Sequence, residues 1–174
     1  MNRTLKLSLL VVLGLTLAAC GSTKKNEEPT TRGVTVDQSE PLVDRNYMNT
    51  GMTQSELEGL GIMGNPLDYK TLYFEYNSTA IDRRSEVIAR AHARALGESG
   101  GAKVVLEGHA DERGTRDYNL ALGELRSQAV GRLMADSGAG NSELQTISYG
   151  EERPADASHS EAAWQANRRV EISY

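Results

Sequence analysis

One stretch of the chain concentrates side chains able to do chemistry: Gly108-His-Ala-Asp-Glu-Arg-Gly-Thr-Arg-Asp-Tyr-Asn-Leu-Ala-Leu-Gly-Glu-Leu-Arg126. Lys103–Glu107 ahead of it is rich in β-branched residues and predicts a strand, and Thr115 onward predicts a helix. Gly108 to Gly114 would then be the loop between them, the kind of place where ligands are recognised. The loop and helix carry opposite charges at Asp111 and Arg126, fifteen positions apart. That places Arg126 about three turns up the helix, within reach of a loop folded back over it. Position alone favours a structural salt bridge, since most Asp and Arg residues are surface charges or ion pairs.

Other chemistries fit less well. Gly97-Glu-Ser-Gly-Gly101 has the spacing of a nucleophile elbow, but that device needs a strand leading into the serine and a helix leaving it. Here the order is reversed, and the glycines are better explained as a helix stop and turn. His109, Asp111 and Glu112 are close in sequence, but His92 and His159 stand apart and there is no His-Glu-x-x-His pattern, so no metal site is expected.

The elements that must position the loop alternate regularly. Thr71–Tyr76 is rich in β-formers and predicts strand one. Asp82 can cap a helix in which Val87, Ile88, Ala91, Ala95 and Leu96 recur at helical spacing, ended by Gly97 and Gly100-Gly101. Strand two is Lys103–Glu107. A second helix from Thr115 to Asp136 would turn Leu122, Leu125, Ala129, Leu133 and Met134 to the core. Leu144–Tyr149 is strand three, Ser158-His-Ser-Glu161 offers a cap for a short helix, and Arg169–Tyr174 alternates as strand four. The order β-α-β-α-β-α-β predicts an α/β domain (α+β in arrangement) over 68–174, a sheet with helices packed against it. Strand order is not readable from the pattern.

The N-terminal part reads differently. Arg3 and Lys6, an apolar run from Leu7 to Leu17 and Ala18-Ala19-Cys20 predict a secretory signal peptide over 1–19. The run is about 11 residues, short of the roughly 20 a membrane-spanning helix needs. Cys20 is the only cysteine, which rules out an intramolecular disulfide and leaves a free thiol, an intermolecular link or a modification site. Residues 20–67 predict a lipidated N-terminus and a flexible tether, with Thr53-Gln-Ser-Glu56 as a capping box for a short helix ended by Gly61, Gly64 and Pro66. Removing 1–19 takes Arg3 and Lys6 and no acidic residue, so the formal net charge moves from −5 to −7. With no Lys/Arg run either, nucleic acid is not the expected ligand.

His109-Ala-Asp-Glu-Arg-Gly-Thr115 followed by Tyr118-Asn119 closely resembles the signature of the OmpA-like peptidoglycan-binding domains, in its lipidated, peptidoglycan-associated branch. Tyr73-Phe74-Glu75-Tyr76-Asn77, Ser148-Tyr-Gly-Glu-Glu-Arg-Pro154 and Asn167-Arg-Arg-Val170 match further blocks, so the resemblance spans Leu72 to Tyr174. Leu17-Ala-Ala-Cys20 resembles the bacterial lipobox, in which the cysteine becomes the lipidated N-terminus. Gly21 and Ser22 after it lack the aspartate that the sorting pattern reserves for inner-membrane retention.

The resemblance implies a mixed, two-layer fold and reverses the reading of the charge pair. Residues matching Asp111 and Arg126 grip meso-diaminopimelate, the branched amino acid of the peptidoglycan stem peptide. Its distal carbon bears an ammonium for the carboxylate and a carboxylate for the guanidinium. Asn119 and Thr115 would add amide and backbone contacts. His109 would pack or donate, Phe74 belongs to the matched strand-one block, and Arg168 is a candidate ligand-side arginine or a strand-end packing residue. Tyr76 and Asn77 depart from the family's phenylalanine and aspartate. The implied protein is a non-enzymatic outer-membrane lipoprotein with its domain in the periplasm. It needs no cofactor and tethers the membrane to the wall in the Tol-Pal system of envelope integrity and cell division, with a TolB-like periplasmic β-propeller protein as partner. Two alternatives stand beside it. One is a lipidated wall-binding protein outside that system, separable by a pull-down; the other is a periplasmic wall-peptide hydrolase, separable by turnover of purified sacculi.

Overall fold

A computed structural model describes residues 50–174. The signal peptide over 1–19, Cys20 and most of the expected tether lie outside the described residues. Helix α1 (Gln54–Gly59) opens on the expected capping box: the Thr53 hydroxyl accepts from the Glu56 N–H at 3.3 Å, and the Glu56 carboxylate accepts from the Thr53 N–H at 2.8 Å. It closes on Gly61 at φ 71°, with Ile62 N–H donating to Leu57 O and Gly61 N–H to Glu58 O. This is the paired-bond ending in which a left-handed glycine brings two apolar residues together. Leu57 and Ile62 are that pair, and both are fully buried in the main core. The packed unit therefore begins upstream of Asp68.

Four strands follow: β1 (Thr71–Tyr73), β2 (Val104–His109), β3 (Leu144–Gly150) and β4 (Arg169–Ser173). They form one mixed sheet in the order β1-β4-β2-β3, with β2 and β3 parallel and β4 antiparallel to both of its neighbours. The connecting helices are α2 (Arg83–Glu98), α3 (Arg116–Asp136) and α4 (Glu161–Asn167), capped by Asp82, Thr115 and Ser160. Leu72, Val104, Leu106, Val170 and Ile172 face the helices and join Val87, Ile88 and Leu96 of α2 in the core. Among the described residues no helix is long and apolar enough to cross a membrane.

Three local expectations are corrected. Strand β1 ends at Tyr73, not Tyr76, because its partner β4 begins only at Arg169; beyond that Phe74 N–H reaches Arg168 O at 2.8 Å, and the chain turns through Asn77 at φ 50°. Strand β2 runs on through His109, with a register shift between Gly108 and His109 against β3. Such a shift re-aims the chain beside a site. The third correction concerns α3, whose buried face is Asn119, Gly123, Arg126, Ser127, Val130, Gly131 and Met134. Of the five residues expected inside, only Met134 is buried, and Leu125 is 51% exposed. The cause is a close approach of backbones. A Cβ on Gly123 would come within 2.8 Å of the Gly108 carbonyl, and one on Gly131 would touch Leu106 and Thr146. Glycine lets the helix lie against the sheet there; Leu125 is left outside, and Leu122, Ala129 and Leu133 are half-buried, Leu133 against the edge of the core.

Candidate ligand-binding site

At the end of β2 a cleft of about 220 Å³ opens between the loop 110–114, the turn after β1 and the first half of α3. The chain reaches it in a fixed way. Ala110 N–H bonds Gly150 O at 2.9 Å, prolonging the β2–β3 pairing, and Gly114 at φ 122° turns the loop into the Thr115 cap. Asp111, Asn119 and Arg126 line the cleft together.

Asp111 is 4% exposed. Its Oδ1 accepts from the Arg113 backbone N–H and Nε, both at 3.1 Å, and its Oδ2 accepts from Arg113 Nη2 at 2.8 Å and Arg168 Nη1 at 3.2 Å. Burial pushes the carboxyl up, but the donors from Arg113 and Arg168 outweigh burial and hold it below the usual carboxylate range. It is ionised at neutral pH.

Arg126 is completely buried on the wall of the cleft. Nε donates to Ser78 O at 2.9 Å, Nη1 to His109 O at 2.9 Å and Nη2 to Glu75 O at 3.1 Å, with the guanidinium 5.2 Å from the centre of the Phe74 ring. Burial lowers its pKa to about 10, against the pull of nearby Asp111, so it stays cationic at neutral pH. The direct Asp111–Arg126 salt bridge that position alone suggested does not form. Asp111 pairs with Arg113 and Arg168, and among the described residues Arg126 makes no ion pair, only bonds to neutral carbonyls.

The remaining expected site residues lie around the cleft, not on it. Thr115 caps α3, its hydroxyl accepting from Tyr118 N–H at 3.2 Å. Phe74 lies beneath the Arg126 guanidinium, and its carbonyl accepts from Arg168 Nε at 3.1 Å. Arg168, 3% exposed, braces Asp111 from behind while bonding Glu161 and Gln165. His109 is 2% exposed beside Tyr149, and neither ring nitrogen is within hydrogen-bond geometry of a partner among the described residues. Burial, with Arg169 and Arg153 nearby, lowers its pKa to about 4, so it is neutral. Asn119, on the cleft wall, is 1% exposed and donates to Glu151.

Sequence reasoning missed Tyr76, Arg113, Tyr118 and Leu122 as lining residues. The spacing of Tyr118, Leu122 and Arg126 at intervals of four was the available signal for one helix face. Asn77, where the family motif differs, accepts from the Tyr118 hydroxyl across the cleft mouth. A second cleft on the other side of Ala110 is lined by Glu112, Glu151 and Asp156.

A fold of this topology with a strand-end cleft carrying a buried carboxylate and a buried guanidinium defines a ligand-binding module. The family model described as the OmpA family matches residues 73–168, and the chain belongs to that family. Within it, the chain is 47% identical over 102 residues to the peptidoglycan-associated lipoprotein of Pseudomonas aeruginosa, an alignment covering 59% of this chain and 60% of that one. It is 37% identical to the protein of the same name from Pseudomonas putida over 97% of both chains. The crystal structure of the peptidoglycan-associated lipoprotein from Burkholderia pseudomallei superposes with a TM-score of 0.62 at 34% identity, covering 64% of this chain and 94% of that one. The C-terminal domain of Helicobacter pylori MotB, at 21% identity and a TM-score of 0.55, shares the fold.

Proposed function

We propose that this protein is a lipid-anchored, non-enzymatic binder of peptidoglycan that holds the outer membrane to the cell wall through the diaminopimelate stem peptide. The observation that carries the reading is the pairing of charges in the cleft. Arg126 is a buried cation whose hydrogen bonds, among the described residues, go only to neutral carbonyls, and an ionised Asp111 shares the same cleft. A cation so placed gains from a ligand carboxylate, because charge-assisted bonds in a dry site are the strong ones. A centre bearing ammonium and carboxylate on one carbon suits both groups. The family membership and the names of the full-length relatives support the same ligand class.

The anchor is Cys20, at the end of the apolar run, so the domain stands in the periplasm with its lipid in the outer membrane. Work within the Tol-Pal system, with a TolB-like β-propeller protein as partner, follows from likeness to the relatives' names and from the resemblance of the motifs.

The test is calorimetry with matched muropeptides. Lysine-type stems keep the ammonium and lack the distal carboxylate, which leaves Arg126 without an ionic partner. A charged donor short of its acceptor costs roughly 1–3 kcal/mol, or about 5- to 150-fold in affinity. Equal affinity for the two stem types would overturn the reading. Intact mass of the mature chain tests the anchor: acyl groups on Cys20 are expected, and an unmodified cysteine would refute it.

A further inference from the structure

Asp111 is saturated. A carboxylate offers about four lone-pair positions, and four donors occupy them: the Arg113 backbone N–H, Nε and Nη2, and Arg168 Nη1. A ligand ammonium can bond this carboxylate only if one donor yields. The backbone N–H is fixed by the turn that Asp111 itself caps. Arg168 is 3% exposed and is held at three further acceptors, Phe74 O, Glu161 and Gln165. The Arg113 side chain is the exception. It is 30% exposed and lines the cleft, and its Nη1 lies 3.5 Å from a second carboxylate, Glu161. Its guanidinium also lies over the rings of Tyr76 and Trp164, 4.3 and 4.2 Å from their centres. Contact of this kind holds a guanidinium in place without using its hydrogen-bond donors.

We propose that Arg113 sets the specificity of this site: its side chain occupies the ammonium position on Asp111, and a ligand ammonium must take that position from it. On displacement Arg113 stays on Glu161 and the two rings. This rests on the diaminopimelate reading above. The consequence concerns discrimination. A ligand that has the carboxylate but lacks the ammonium leaves Arg113 in place and Asp111 satisfied, so it is tolerated. Without the Arg113 guanidinium, the same ligand would leave half of the Asp111 acceptor positions unmet.

The experiment measures two peptides against the full chain by calorimetry: L-Ala–γ-D-Glu–meso-diaminopimelate, and the analogue with 2-aminopimelate, which keeps the distal carboxylate and lacks the distal ammonium. The ratio of their affinities is expected to widen by roughly fivefold in Arg113→Gln, the scale of a partly exposed ion pair. A purely structural role would weaken both peptides together, and an unchanged or narrowed ratio overturns the proposal. Should Arg113→Gln not fold, the wild-type Arg113 Nε–H resonance gives the answer by NMR. It should shift with the diaminopimelate peptide and stay in place with the analogue, and no difference between the two overturns the proposal. Wild-type protein that binds neither peptide refutes the functional reading and this inference with it, whereas binding with an invariant ratio refutes the role of Arg113 alone.

Discussion

Helices α2 and α3 pack on the same face of one sheet but bury different proportions of apolar and polar side chains. The inward side of α2 is Val87, Ile88, Ala89, Ala91, Ala93 and Leu96, with Ser85 and His92 as its buried polar residues. The inward side of α3 begins with Asn119, Gly123, Arg126 and Ser127 and turns apolar only at Val130 and Met134. The difference lies in what each helix touches. Apart from its last turn, where a Cβ on Gly97 would come within 2.6 Å of the Gly138 carbonyl, α2 meets side chains of the core and is held by burial of apolar area. The first half of α3 meets backbone: Gly123 lies against Gly108, and a Cβ on Gly150 would come within 2.8 Å of the Leu120 N. Contact that close leaves no room for large apolar residues, and the polar groups buried there must find partners among neighbouring carbonyls and carboxylates. A scaffold helix and a site helix can thus share a layer and obey different packing rules.

The comparison is broken most severely by Arg126→Ala. Three carbonyl oxygens, of Glu75, Ser78 and His109, would lose their donor, and a large buried side chain would leave a void. The cost should be roughly 3–5 kcal/mol in denaturant unfolding, with loss of wall binding. If the stability is unchanged, the guanidinium is not a structural part of α3. The matching change on α2, Ile88→Ala at a fully buried position, should cost about 2–5 kcal/mol and leave the affinity of the folded protein for wall fragments as it was.

Between these sits a pH effect. The folded state lowers the His109 pKa to about 4, from an ordinary value near 6.5, so it binds fewer protons than the unfolded chain in that window. Stability is then full above about pH 6.5 and falls as the pH drops towards 4, by on the order of 3 kcal/mol. Burial lowers the His92 pKa in the same sense, with its Nδ1 on the Tyr174 hydroxyl and Nε2 on Tyr69 O. His109→Leu should flatten the slope of unfolding free energy against pH; an identical slope would place the proton uptake elsewhere. The smallest effect is expected from Leu125→Ala. On hydrophobic periodicity it is a core change, but at 51% exposure it should stay within about 0.5 kcal/mol. A loss like that of Ile88→Ala would show that Leu125 is packed after all.

Much of the fold was legible because it is written locally. The caps Thr53, Asp82 and Thr115 each accept from a backbone N–H within three residues, so the signal and its effect are neighbours in the chain; the last helix begins instead on Ser160, two residues beyond the Ser158 that opens the Ser-x-x-Glu pattern. The alternating strands carried their own pattern, though β1 and β2 ended where their partners, not their own residues, dictated. The site was half legible. Asp111, Asn119 and Arg126 stand in one motif and meet in one cleft, but the motif gave no sign that Asp111 would be paired with Arg168 or that Tyr76 would cover Arg113.

By itself, the sequence determined the order of elements, the caps that start them and the short motif that supplies the charges of the cleft. All of these depend on interactions a few residues long. Only the tertiary structure decided which guanidinium answers which carboxylate, which side of α3 is buried and where His109 points. Asp111 meets Arg168 across 57 residues of chain, and Arg126 reaches Glu75 across 51. Contacts that distant are set by how closely Gly108 and Gly123 let two backbones approach, a steric limit that exists only once sheet and helix are together.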